Sequence, residues 1–157
     1  MSKKLDLQRC INILKSGGLI VTPSDTVYGL VCDATNEYAV KKLITVKNRP
    51  WGKPISVFTD GFEMIQPLVE IGNHKPLLQS LLPGPFTIVL PSKHKTSPLL
   101  ESEKKTLGIR FPAFPWITEL VHAYGGPLTA TSANVSGRSP HYAVSYTHLT
   151  LPTIYSV

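Results

Sequence analysis

Three cations fall within the seven residues Lys47-Asn48-Arg49-Pro50-Trp51-Gly52-Lys53, and Pro50 and Pro54 limit how far that segment can splay. Lysine supplies a compact charge and arginine a planar fork that grips two phosphate oxygens, so the mixture suits a triphosphate or a departing pyrophosphate. The same charges would complement the negative end of a preceding helix, and the local sequence leaves both readings open. A second segment, residues 22–30, gathers hydroxyls, the Asp25 carboxylate and the Tyr28 phenol around Gly29. That is the composition of a substrate-contacting loop, although such hydroxyls also bond to nearby backbone. A third, residues 128–137, is small and hydroxyl-rich, which lets backbone amides and short side chains approach a ligand closely. A plain strand-to-loop transition explains that composition nearly as well.

Other chemistries lack their motifs. No GxxxxGK[ST] or GxGxxG occurs, so any nucleotide must be held by a different constellation. His74, His94, His122, His141 and His148 are dispersed with no HExxH, and read as surface or structural residues. Cys10 and Cys32 form no CxxC pair, which argues against a disulfide framework or a zinc site and for two buried thiols. The formal charge of +6, from 16 Lys+Arg against 10 Asp+Glu, favours polyanionic partners or simply a solvated basic surface. No run of about 20 apolar residues is present, and the start, Met1 to Asp6, turns polar too soon for a signal peptide. A cytoplasmic protein with no membrane contact is therefore expected.

The elements that must position these segments follow from periodicity. Leu7, Cys10, Ile11 and Leu14 recur at helical spacing before Gly17-Gly18, which predicts a helix over residues 5–16 and then a buried strand at 19–22. Asn36 is placed to cap a helix through about Lys47 whose buried face carries Ala39, Val40, Leu43 and Ile44. Further strands are expected at 55–58, 86–90, 107–111 and 128–131, with helices near 62–69, 74–82 and 115–123 and stiff turns at Pro83-Gly84-Pro85 and Gly125-Gly126-Pro127. Interleaved strands and helices in 157 residues predict one α/β or α+β domain with a largely covered sheet, residues 1–144. Residues 145–157 carry no charge and no periodic apolar face, and are expected to add little ordered core.

Five segments occur together in order: residues 23–30, Lys47-x-Arg49-Pro50 with Lys53-Pro54, residues 82–87, Gly108-Ile109-Arg110-Phe111-Pro112, and residues 131–137. They resemble the ordered motifs of the YrdC-type threonylcarbamoyl-AMP synthases over roughly residues 5–144. The resemblance implies an α/β fold built on an open twisted mixed sheet, with flanking helices and a basic concave face. It implies a nucleotidyltransferase reaction in which L-threonine, bicarbonate and ATP give threonylcarbamoyl-AMP and pyrophosphate, with magnesium held mainly through the ATP phosphates. A transferase complex would then carry the group to tRNA, with direct tRNA contact left open.

Position by position, the resemblance assigns Thr26, Arg110 and Ala130 to threonine, with Arg110 on the carboxylate. It assigns Lys47, Arg49, Lys53, Thr106, Ser132 and Asn134 to ATP. Phe58 stands where some longer relatives have a polar threonine contact. No catalytic acid or base is assigned, because carbamate formation precedes attack on phosphorus. The relatives continue past residues 138–140 through elements that return a serine and a basic residue to the site. Nothing in 145–157 resembles these, so weak or absent turnover is expected. A YrdC-like module that binds nucleotide or RNA without chemistry is the competing reading. A carbamoyl-transfer domain of hydrogenase maturation factors would need the missing CxxC pairs.

Overall fold

In the computed structural model, which describes residues 3–139, helix α1 (Lys3–Lys15) buries Cys10, Ile11 and Leu14, three of the four residues whose spacing predicted it. It stops where Gly17 turns left-handed at φ 75° and the Gly18 amide donates back to the Ile13 carbonyl. Strand β1 (Ile20–Thr22) follows. Helix α2 (Glu37–Val46) starts as expected, with the Asn36 side chain accepting from the Ala39 amide, and it buries Ala39, Val40, Leu43 and Ile44.

Residues 22–30 do not form a single loop. Their last two residues begin β2 (Gly29–Val31), which pairs with β1 on one side and with β6 (Leu128–Ser132) on the other. Three residues that start on glycine carry no period-2 signal, so only their partners define the strand. The remaining elements are β3 (Ser56–Phe58), α3 (Phe62–Leu68), α4 (Lys75–Leu81), β4 (Ile88–Pro91), β5 (Thr106–Arg110) and α5 (Pro115–Tyr124), with short 3-10 turns at Gly72–His74 and Pro98–Leu100. The strand expected at 86–90 lies two residues later at its start, and the other boundaries hold to within one or two residues.

The six strands lie in the order β1-β2-β6-β3-β5-β4, antiparallel throughout except for the parallel β3–β5 pair. Side chains alternate between the faces. On one face Val21, Leu30, Val57, Leu107 and Ile109 pack with buried residues of α2, α3 and α4. On the other, Ile20, Val31, Phe58 and Leu128 pack with Cys10, Ile11 and Leu14 of α1 and with Trp116, Ile117, Leu120 and Val121 of α5.

Helix cover on that second face is incomplete. The registers Phe58↔Arg110 and Ser56↔Ala130 put Ser56, Thr106, Arg110, Ala130 and Ser132 on the same side as Phe58, yet all five are only half-buried. The mixed, open sheet with flanking helices is the architecture that the resemblance implied, and its second face is less fully covered than the strand-and-helix pattern alone predicted. Both cysteines are free and buried. No helix among the described residues is long and apolar enough to cross a membrane. The expectations for residues 145–157, and for His141 and His148, lie outside the described residues.

Candidate functional site

The bare part of the sheet holds a cavity of about 150 Å³. Ser24, Thr26 and Val27 come to it from the β1–β2 connection and Gly29 from the start of β2; Phe58 ends β3 and Arg110 ends β5. The end of β6 contributes Ala130, Thr131 and Ser132. The connection is shaped by its own hydroxyls: Ser24 Oγ donates to the Val27 carbonyl at 2.6 Å and lies 3.4 Å from Thr26 Oγ1. The volume is below the roughly 300 Å³ at which drug-sized pockets begin, and fits a small polar metabolite.

Arg110 dominates the electrostatics. Its Nη2 donates to both carboxylate oxygens of Asp25 at 2.8 Å, and the guanidinium lies 5.4 Å over the Phe58 ring. The ion pair is mostly removed from water, with side chains 14% and 13% exposed. Arg110 Nε is buried without a hydrogen-bond partner. An orphaned charged donor in a cavity wall is costly unless a ligand satisfies it.

The cationic segment after α2 is divided between roles. Lys47 is 1% exposed; its ammonium donates to the carbonyls of Ser132 and Asn134, and its own carbonyl accepts from the Ser136 amide. Burial first, and the neighbouring Arg49 charge second, bring the Lys47 pKa down from 10.5 to about 8. Arg49 folds over its own loop, with Nε donating to the Lys53 carbonyl and Nη2 to the Pro54 carbonyl at 2.7 Å, and burial lowers its pKa. Lys53 is exposed. Asn134 donates from Nδ2 to the Val135 and Arg138 carbonyls, while its Oδ1 is buried and unpartnered.

The structure thus brings Thr26, Arg110, Ala130 and Ser132 around one cavity and links Lys47 and Asn134 to the Ser132 end of β6. Thr106 is not at that cavity. It starts β5, four residues from Arg110 or about 13 Å along an extended strand, and its hydroxyl lies 2.7 Å from that of Ser102. It is on the same side of β5 as Arg110, with Gly108 buried between them beneath the Ser56 and Thr87 side chains. The sequence reading noted the Asp25 carboxylate but missed its pairing with Arg110, because the two are 85 residues apart in the chain. Of the histidines, His94 pairs with Glu101 and His122 with Asp60, both away from this cavity.

The family model described as "Telomere recombination", which covers Sua5, YciO and YrdC proteins, matches residues 12–153. A relative from Vibrio vulnificus named threonylcarbamoyl-AMP synthase is 35% identical over 138 residues, covering 85% of this chain and 74% of the relative. One of the same name from Photobacterium profundum is 34% identical over 139 residues, covering 86% and 75%. Among solved structures, P. abyssi Sua5 complexed with L-threonine superposes with a TM-score of 0.89 at 26% identity. The match covers 98% of this chain but 47% of that one, so the chain spans about half the length of that Sua5. E. coli YciO, at 24% identity and a TM-score of 0.79, shares the fold.

Proposed function

Since the chain belongs to the Sua5/YciO/YrdC family, we propose that it converts L-threonine, bicarbonate and ATP into threonylcarbamoyl-AMP and pyrophosphate. The observation that carries this reading is the cavity in which Arg110, its Nε unpartnered, faces the Thr26 hydroxyl, Ala130 and Ser132. An α-amino acid with a hydroxylated side chain matches both halves of that lining: a carboxylate for the guanidinium and a hydroxyl for Thr26.

In this reading bicarbonate gives carbon dioxide and hydroxide, and the neutral threonine amine adds to the carbon dioxide to give a carbamate, its released proton combining with the hydroxide as water. The carbamate oxygen then forms a bond to the α-phosphorus of ATP as the bond to pyrophosphate breaks. The chain's contribution is positional and electrostatic. Holding the carbamate and the α-phosphate together removes the entropic cost of their encounter, and fixed donors compensate the charge that moves onto pyrophosphate. Arg110 and Thr106, half-buried at the two ends of β5, would bracket the product, with the amino-acid end at Arg110 and the nucleotide end toward Thr106. Ser132 and Asn134 stand at the other wall, where β6 ends.

Arg49 and Lys53 serve the phosphates by exchanging their present backbone and solvent partners for phosphate oxygens. Lys47 serves the site through the two carbonyls that it holds. Among the described residues no cluster of three or more His, Cys, Asp or Glu side chains is placed to hold a metal. Magnesium would therefore come with the ATP phosphates, and no step here is assigned to it. The product's threonylcarbamoyl group would pass to a transferase complex that modifies tRNA.

Pyrophosphate release by the full chain tests the reading. It should require threonine, bicarbonate and ATP together, and a release rate independent of threonine would rule the assignment out.

A further inference from the structure

We propose that Asp25 is a positioning residue that sets the orientation of Arg110 and so determines how strongly the cavity prefers a free carboxylate. The inference rests on the reading of this cavity as the threonine site. Three observations carry it. First, Ser24 and Thr26 on either side of Asp25 line the cavity, whereas Asp25 does not, because its side chain turns to Arg110 instead. It therefore acts on a ligand through Arg110 rather than by touch.

Second, both Asp25 oxygens converge on a single nitrogen, Nη2. A guanidinium has five N–H donors in a rigid fork. Spending one nitrogen on an internal partner holds the group and leaves the rest of the fork uncommitted, and the buried Nε–H has no partner within the protein. Third, the Phe58 ring supports the guanidinium face at 5.4 Å while Asp25 holds its edge, so both the tilt and the rotation of the plane are set. Fixing an arginine before its ligand arrives removes a cost that binding would otherwise bear. The aromatic at position 58 takes part in this support, where a polar residue would offer a direct contact instead.

Two simpler roles each predict a different measurement. Were Asp25 only a brace for the 23–28 connection, its loss would weaken every ligand of the cavity alike. Were it a competitor for the guanidinium, its loss would strengthen carboxylate binding. A positioning role predicts a selective loss.

The experiment compares binding of L-threonine and L-threoninamide, which lacks the carboxylate, to the wild-type chain and to Asp25→Asn. Asp25→Ser gives the same comparison should the amide variant fail to fold. Removal of Asp25 should weaken threonine about tenfold and leave threoninamide within twofold, so that the preference for the acid collapses. In the same samples the Nε–H resonance of Arg110, identified by its loss in Arg110→Lys, should be sharp and separate in wild type. It should broaden or merge with the averaged arginine signals in the variant. Equal losses for both ligands, tighter threonine binding, or an unchanged Nε–H resonance would each overturn the proposal. Should the wild-type chain bind no threonine, the functional reading fails, while the resonance still decides whether Asp25 positions Arg110.

Discussion

The Lys47 ammonium donates to the Asn134 carbonyl at 2.7 Å, joining the end of α2 to the connection after β6 through a charge that is almost wholly buried. The Lys47 carbonyl accepts from the Ser136 amide in return, so the two segments are clasped from both sides. This residue is the keystone of the β6 end of the site, and its contribution can be measured.

Lys47→Met keeps the length of the side chain but leaves the Ser132 and Asn134 carbonyls without their donor. A loss of about 1–3 kcal/mol in unfolding free energy is expected, read by urea denaturation at pH 7. An unchanged midpoint would show that water or rearranged backbone replaces the ammonium at no cost.

The pH dependence of that difference has a definite sign. The Lys47 pKa is lowered from 10.5 to about 8 in the fold, so between those values the unfolded chain holds a proton that the folded chain has released. Stability contributed through Lys47 therefore rises with pH across this window, by at most about 1.4 kcal/mol per pH unit. Below pH 8 both states are protonated and the cost of burying the charge is present in full. Cys32, raised to about 12 by burial, works in the opposite direction above its ordinary value of 9.0. The quantity to follow is accordingly wild type minus Lys47→Met, from pH 7.5 to 10. It should grow, and a flat difference would contradict the buried-ammonium account.

Trp116 Nε1 donates to Thr22 Oγ1 at 2.6 Å, and both residues are buried, which ties α5 to the end of β1 where the Ser24–Thr26 connection begins. Thr22→Val preserves the volume and strands the indole N–H, for an expected loss of about 1–3 kcal/mol. Trp51 is 62% exposed, so a blue-shifted emission component belongs to Trp116 and reports this contact during denaturation. Stability within about 0.5 kcal/mol of wild type, a range typical of surface changes, would count against it.

Gly84 is required by space. A Cβ there would lie 2.4 Å from the Leu81 carbonyl oxygen, and the Gly84 amide donates to the carbonyl of Phe111, the residue after Arg110. Gly84→Ala must move backbone, with an expected cost of about 1–3 kcal/mol. Thermal unfolding checks this, and a wild-type transition would mean that the turn relaxes freely.

What the sequence made legible, and what it hid, divides by range. The α2 helix was readable because its cap, its buried face and its end are local signals, and the structure repeats all of them. Of the residues that the ordered motifs singled out, Thr26, Arg110 and Ala130, assigned to threonine, and Ser132, assigned to ATP, line one cavity. β2 was hidden because three residues beginning with Gly29 acquire a strand's identity only from β1 and β6. The direction of Lys47 was hidden for a related reason: a lysine beside an arginine offers itself as a phosphate ligand until the carbonyls of Ser132 and Asn134, 85 and 87 residues away, are seen to accept its hydrogen bonds. The Asp25 partner of Arg110 is equally remote in the chain.

The central claim is that the Arg110 cavity is an amino-acid site distinct from the site that takes the nucleotide. Calorimetric titration of the full chain and of Arg110→Ala, with L-threonine and separately with a non-hydrolysable ATP analogue, tests it most directly. The account predicts that wild type binds threonine and that Arg110→Ala loses at least tenfold in threonine affinity. Truncating one partner of a charge-assisted contact leaves the carboxylate uncompensated, and the ATP analogue should change by less than threefold. Equal losses for both ligands, or a wild-type chain that takes up the nucleotide and ignores threonine, would contradict it.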